Sequence, residues 1–297
     1  MEKLPYTSLN SFLRETFGEK TVKLSIDAGF SCPNRDGTLS TKGCIFCSEG
    51  GSGDFAGDRC TSIKEQISEQ KKLLSKKWTG CKYIAYFQAF TNTYAPVDEL
   101  ERKYMEAIEC QDVVAISIGT RPDCINEDVL NLLEKIRKKI FVFVELGLQT
   151  SNEETAILIN RCYKNEVYEK AVKDLKKINI NVVTHIIVGL PYETEEDILN
   201  SVKFAVANKT DGIKLQLLHV LKNTPLEKLY EETHFPIFTK EEYAGIIVKC
   251  MSIIPPNVVI HRFTGDGNKK NLIAPLWSGN KKDVLNTINK KISKSFK

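Results

Sequence analysis

Six short runs rich in β-branched and aromatic residues recur along the chain: TVKLSID at 21–27, KYIAYFQAF at 82–90, DVVAISIGT at 112–120, IFVFVELGLQ at 140–149, INVVTHIIVGLP at 180–191 and GIKLQLLHV at 212–220. Such runs predict buried strands. Between them lie charged segments whose apolar residues return at helical spacing, among them SIKEQISEQKKLLSKKW, VDELERKYMEAIEC, NEDVLNLLEKIRKK, NEVYEKAVKDLKKI and TEEDILNSVKFAVAN. A strand followed by a helix, repeated about six times, predicts right-handed crossovers and one parallel sheet. Six units fall short of the eight that close a barrel. The expected fold is therefore α/β, a partial (β/α)6 TIM-like barrel.

The helix after the fifth strand has a start signal of its own. Thr194 stands three residues before Asp197, a relative of the capping box, and Pro191 marks the loop before it. Residues 221–297 are less regular, with a double proline at 255–256 and the segment HRFTGDG. No polar linker sets them apart. Residues 1–220 are thus read as the barrel core with its N-terminal segment, and 221–297 as a C-terminal extension packed on the barrel.

At 297 residues, with 42% hydrophobic and 27% charged positions, the composition is that of an ordinary globular protein. There is no apolar run of about 18 residues, so no membrane span is expected. The opening MEKLPYTSLNSF lacks the apolar stretch of a secretory signal, which points to the cytoplasm. Nine cysteines, an odd number, argue for reduced thiols and metal or redox chemistry over a disulfide scaffold. The net charge of +4 identifies no partner, but eight lysines and one acid lie between Lys269 and Lys297. That tail suits phosphate contacts, and equally suits a solvated helix face.

Cys32, Cys44 and Cys47 sit in FSCPNRDGTLSTKGCIFCSEGG, the loop after the first strand. In a parallel barrel the loops at the strands' C-terminal ends build the active site. Three thiolates can hold three irons of a [4Fe–4S] cluster and leave the fourth open to a small molecule. Zinc also uses CxxC pairs, usually with a second CxxC or a histidine pair, and here the histidines are single residues at 185, 219, 234 and 261. On spacing, both metals remain open. Cysteines 60, 81, 110, 124, 162 and 250 have no ligand-like spacing and read as small buried hydrophobes. The glycines of GSGDFAG neither follow a strand nor open a helix, which argues against a phosphate-cradling loop.

The segments SLNSFLRETFGEKTVKLSIDAGFSCPNRDGT, GCIFCSEGGSGDFAG, FQAFTNTYAP, GTRPDCI, ELGLQT, HIIVGLP and HRFTGDG run nearly end to end. Together they resemble the radical S-adenosylmethionine (SAM) superfamily and, more narrowly, its YtqA/YhcC-type members. Related patterns occur in Elongator-type enzymes, for whose acetyltransferase domain too few residues follow the barrel. The resemblance implies a [4Fe–4S] cluster on Cys32, Cys44 and Cys47 whose open iron chelates SAM. It also implies a reductant such as flavodoxin or ferredoxin, and a 5′-deoxyadenosyl radical that abstracts hydrogen. Phe46 matches the aromatic before the last cysteine. Gln149 resembles a SAM-contacting glutamine, and Arg161 the arginine that approaches the SAM carboxylate. Arg121, beside Asp123, matches a strand-end signature, and Gly189 would let the backbone approach adenine. Where many relatives carry a GGE-like stretch this chain has FQAFTNTY, so Gln88, Thr91 and Asn92 are the expected contacts to SAM's amino group. Gly119 stands where many carry an acid, which leaves the ribose contact open.

The same resemblance implies tRNA as partner, with 5-carboxymethylaminomethyluridine at the wobble position converted to 5-aminomethyluridine. A wobble base is single-stranded and can be drawn into a pocket. Phe87, Phe90, Tyr94, His261, Arg262 and the lysine tail are candidate contacts, although aromatics in strands equally serve the core. Glu145 and His185, also in strands, read either as cavity lining or as core polar groups. A radical SAM reaction on a metabolite or peptide, and a zinc-stabilised binding protein, are the alternatives.

Overall fold

The computed structural model describes residues 5–51, 53, 56–75, 80–265, 267 and 269–296. The end of the first predicted long helix (76–78), part of GSGDFAG and Asp266 of HRFTGDG lie outside them.

All six predicted strands form: β1 (Thr21–Ile26), β2 (Lys82–Phe87), β3 (Val113–Thr120), β4 (Phe141–Gln149), β5 (Asn181–Val188) and β6 (Gly212–Leu217). They pair in sequence order, every pair parallel. Helices α2 (Ile63–Ser75), α3 (Val97–Ile108), α4 (Glu127–Arg137), α6 (Asn165–Lys177) and α7 (Glu195–Ala207) fill the crossovers, with short α5 (Glu153–Leu158) after β4. Thr194 and Asp197 form the expected capping box at the start of α7. Three predicted strands stop three residues early. Beyond Phe87 the chain turns with Phe90 at φ 59°, and beyond Val188 it turns at Gly189, φ 94°.

The C-terminal residues add more than a cover. β8 (Val259–Arg262) pairs parallel with β6 and becomes the seventh strand of the curled half-barrel. A two-stranded antiparallel ribbon joins β7 (Val220–Leu221) to β9 (Leu272–Ala274). Helices α8 (Pro225–Thr233), α9 (Lys240–Ile253) and α10 (Lys281–Ser295) complete the region.

Because strand side chains alternate faces, the sheet reads as two sets of residues. One set, including Leu24, Ile26, Ile116, Val144, Leu146, Ile186 and Leu215, packs with helical residues into the main core. The other faces the inside of the half-barrel in layers. At the bottom, Ile84, Ala115, Phe143 and Val183 form a separate apolar cluster with Leu13 of helix α1 (Leu9–Phe17). This plug closes the N-terminal end. Above it lie Lys23, Tyr86, Ser117, Glu145, His185 and Lys214, and above those Ser25, Gln88, Gly119, Gly147, Ile187 and Gln216. Among the described residues the apolar plug closes the N-terminal end, and the C-terminal side of the sheet stands open to a ligand.

Candidate active site

A cavity of about 860 Å³ opens at the C-terminal side of the sheet. Cys32, Cys44, Cys47, Phe46, Gln88, Thr91, Arg121, Gln149 and Arg161 all line it, so residues from five parts of the sequence meet at one mouth. Asn92 and Gly189 do not. Asn92 is fully buried and donates from Nδ2 to Gly119 O (2.8 Å), tying the loop after β2 to the end of β3. Gly189 serves a tight turn: a Cβ there would lie 3.3 Å from the Phe238 ring.

The cysteine loop is stitched to the segment after α5. Asn34 Nδ2 donates to Asn160 O (2.6 Å), Asn160 Nδ2 donates to Gly43 O (2.7 Å), and Ile45 N donates to Ile159 O (3.1 Å). Gly43 is required twice over. Its φ is 72°, and a Cβ would fall 2.8 Å from Arg35 Nε. Arg35 in turn donates to Cys47 O (2.8 Å) and Ser48 O (2.7 Å), which fixes the CxxC turn. Burial, then the neighbouring Cys47, pushes the Cys44 thiol up to about 12, so a metal bound there must displace its proton. Among the described residues no three His, Cys, Asp or Glu side chains converge on a point that would hold a single ion. Three soft thiols spread along one loop fit a cluster with one iron for each sulfur.

Arg161 departs most from expectation. It is 1% exposed, and its N–H groups are spent on the protein: Leu148 O (2.9 Å), Thr150 O (2.7 Å), Tyr163 O (2.8 and 3.0 Å) and Asn165 Oδ1 (3.0 Å), with Glu153 at 3.5 Å. Its bonds grip the carbonyls on either side of Gln149, which stands at φ 67° beside an irregularity in the β4–β5 pairing. Gln149 folds back over Gly147, where a Cβ would sit 2.6 Å from its Nε2, and Tyr163 OH donates to Gly147 O. Arg161 therefore holds the bend that aims Gln149 into the cavity. Arg121 is likewise committed: it forks onto Asp123 (2.9 and 2.7 Å) and stacks on Tyr163 (4.9 Å). Burial opposes its charge, but Asp123 more than offsets this and raises its pKa.

The cavity narrows onto a charged floor. Glu145, with its side chain fully buried, accepts from Ser117 Oγ (2.6 Å), Lys23 Nζ (2.5 Å), Lys214 Nζ and His185 Nε2 (2.7 Å). Those donors hold Glu145 ionised despite its burial, well below the usual carboxylate range. Gln216 Nε2 lies 3.2 Å from His185 Nδ1, which assigns the tautomer: Nδ1 accepts from the amide and Nε2–H donates to Glu145. Burial, helped by nearby Lys214, lowers His185 to about 4, so the ring is neutral. Lys214 also reaches Tyr86 OH (3.2 Å). Its ammonium falls to about 7: burial dominates, Glu145 offsets part of it, and Lys23 and Arg262 add repulsion. Glu145 and His185 appeared among the sequence candidates, whereas Lys23, Tyr86, Ser117, Lys214 and Gln216 did not. Their signal was a polar residue at every second position of otherwise apolar strands.

Around the mouth, Phe90 lies against the guanidinium groups of Arg35 (5.7 Å) and Arg59 (5.4 Å). Phe87 is core, fully buried and edge-on to Tyr104. Tyr94 bonds Thr38 (2.8 Å) and lies off the cavity wall, as does His261, which packs on Phe143 (5.7 Å). The basic tail divides: Lys269 and Lys270 line the mouth, while the remaining described lysines belong to α10, which packs on α9.

Residues 37–205 match the family described as the Radical SAM superfamily, and residues 210–294 match the Radical_SAM C-terminal domain. The chain belongs to the radical SAM superfamily. It is 46% identical to "Uncharacterized protein YtqA" of Bacillus subtilis over 287 residues, covering 97% of this chain and 89% of that one. With "Protein YhcC" of Escherichia coli it shares 36% over 270 residues, 91% of this chain and 86% of the other. The fold resembles that of the archaeal Methanocaldococcus infernus Elp3 with a TM-score of 0.65 at 19% identity, over 91% of this chain and 63% of that one. Membership of this radical SAM superfamily implies a [4Fe–4S] cluster and SAM, for which the three cysteines are the fitting donors. No helix among the described residues is long and apolar enough to cross a membrane.

Proposed function

We propose that this radical SAM enzyme acts on the wobble uridine of tRNA, converting 5-carboxymethylaminomethyluridine to 5-aminomethyluridine. The observation that carries the reading is a cavity with the cysteine triad at its mouth and a cationic floor beneath. A partial relative, named "tRNA uridine(34) acetyltransferase" from Methanocaldococcus infernus, supports the choice of substrate: it is 29% identical over 156 residues, 52% of this chain and 29% of that one.

A [4Fe–4S] cluster on Cys32, Cys44 and Cys47, loaded with SAM, would supply the 5′-deoxyadenosyl radical that takes a hydrogen from the carboxymethyl CH₂. The carbon radical beside nitrogen would return one electron, and water adding to the resulting iminium would release the two-carbon arm as glyoxylate and leave the amine. The chain's own part is to bind, orient and exclude water. Gln149, Gln88, Thr91 and Phe46 line the upper cavity and are the proposed SAM contacts, with Arg161 and Asn92 acting from behind as positioning residues. Arg35, Arg59, Lys269 and Lys270 would meet phosphates, and Phe90 between its two arginines offers a stacking face. The plug of α1 closes the far end.

Nucleoside mass spectrometry of tRNA from a strain lacking the protein tests this. Accumulated 5-carboxymethylaminomethyl-uridines, with the 5-methylaminomethyl forms absent, are expected. An unchanged profile in a strain with no redundant enzyme would remove wobble uridine as the target.

A further inference from the structure

On the floor two lysines, Lys23 and Lys214, both bond to the single carboxylate of Glu145. Lys23, Lys214 and Arg262 come from β1, β6 and β8, and the register sets His185, Lys214 and Arg262 side by side on neighbouring strands. Glu145 is the one acid among the described residues lining the cavity. His185 is neutral and adds no charge. Like charges this close repel, the more so where burial lowers the local dielectric. Lys214 shows the consequence in its depressed ammonium. Of its three N–H groups, Glu145 and Tyr86 take two, among the described residues no partner takes the third, and Lys214 lines the cavity.

We propose that this floor is a carboxylate subsite in which Lys214 and Arg262, backed by Lys23, receive an acidic group of the substrate. It rests on the wobble-uridine reading in that the carboxymethyl arm supplies the carboxylate. SAM also carries one. Glu145, however, lies on β4 two residues below Gly147, over which Gln149 folds back, roughly 7 Å at strand spacing, so the floor sits one layer under that glutamine. Glu145 then has a defined task. It holds Lys23 and Lys214 in place, and it repels a second carboxylate from its own side of the floor. An arm bearing an amine and a carboxylate on one carbon would enter with the acid down, leaving its CH₂ above, toward the mouth.

The test is calorimetric binding of 17-nucleotide anticodon stem-loops to the cluster-loaded protein. Three probes differ only at the wobble position: 5-carboxymethylaminomethyluridine, its neutral carboxamide, and uridine. The acid is expected to bind at least about tenfold more tightly than the carboxamide. In Lys214→Met and Arg262→Gln the two should bind alike, while affinity for SAM stays within about twofold. Acid and carboxamide binding alike in the unaltered protein, with RNA affinity retained, would overturn the subsite and leave the substrate reading standing. Loss of SAM affinity in Lys214→Met without any preference for the acid would assign the floor to the cofactor, and overturn it too. Failure of all three RNAs to bind would overturn both readings together. The comparison within the unaltered protein does not depend on any variant folding.

Discussion

Gly147 and Gln149 show how single residues set this cavity. A methyl group at 147 would press on the amide end of Gln149, at 2.6 Å, and meet Tyr163 OH in ordinary contact at 3.6 Å. Gly147→Ala is therefore expected to fold with little loss of stability but to displace Gln149 and weaken SAM binding by about tenfold. Equilibrium binding of SAM alongside thermal unfolding checks this; unchanged affinity would remove Gln149 as a contact. The floor makes a prediction in pH. Glu145 is ionised and His185 neutral throughout the range from about pH 6 to 9, because the first is held low by its donors and the second sits at about 4. Burial raises Tyr86, which keeps its proton. Lys214, at about 7, is the group that titrates there. A carboxylate binds its charged form, so affinity should be level below about pH 7. Above that, binding must take up a proton, and affinity falls by up to about tenfold per pH unit. Affinity for the acid-bearing stem-loop, corrected with the carboxamide, reads this directly. The lysines were visible in the sequence as single cations inside VKLSI and IKLQL. They went unread because a strand's inward face cannot be assigned until the barrel's inside is known.

At the scale of elements, the strands and crossover helices were legible because apolar periodicity encodes burial, and burial against helices holds throughout the sheet. Strand ends were not legible. Phe90 and Gly189 turn the chain through positive φ after apolar residues that look like more strand. β8 was missed for a different reason: four residues, following an irregular segment, give too short a pattern, and pairing with β6 supplies what the pattern lacks. Arg161 was recognised as important but given another task. The loop after α5 wraps its side chain around the end of β4, which no local spacing reveals. Replacing it with methionine would leave several buried carbonyls unpaired. The expected cost is about 3 kcal/mol or more in chemical denaturation, with Lys, which lacks the fork, only partly restoring it. Unchanged stability with lost SAM affinity would return Arg161 to the role of direct contact.

At the scale of the molecule, an apolar plug, a cationic floor, a glutamine- and glycine-lined middle and a thiol-bearing mouth are stacked along one axis. Cysteine spacing left both iron–sulfur and zinc chemistry open; the family match and the shared cavity favour the cluster. Cys32→Ala, Cys44→Ala and Cys47→Ala, purified anaerobically, are each expected to lose the approximately four irons of a cluster, while Cys60→Ala keeps them. Iron analysis decides it, and one zinc per chain would contradict it. The division of the lysines between mouth and α10 has a consequence for RNA binding as well. Neutralising Lys269 and Lys270 should flatten the salt dependence of stem-loop affinity, whereas neutralising Lys290 and Lys294 on α10 should leave it nearly unchanged.

The most direct test of the central claim uses tRNA whose wobble carboxymethyl CH₂ is replaced by CD₂. The reconstituted protein is incubated anaerobically with this tRNA, SAM and a reductant, and both products are read by mass spectrometry. Deuterium in 5′-deoxyadenosine, appearing in step with 5-aminomethyluridine, is the expected result. 5-Aminomethyluridine formed with unlabelled 5′-deoxyadenosine would contradict hydrogen removal at that carbon, and labelled RNA returned unchanged would contradict the assigned substrate.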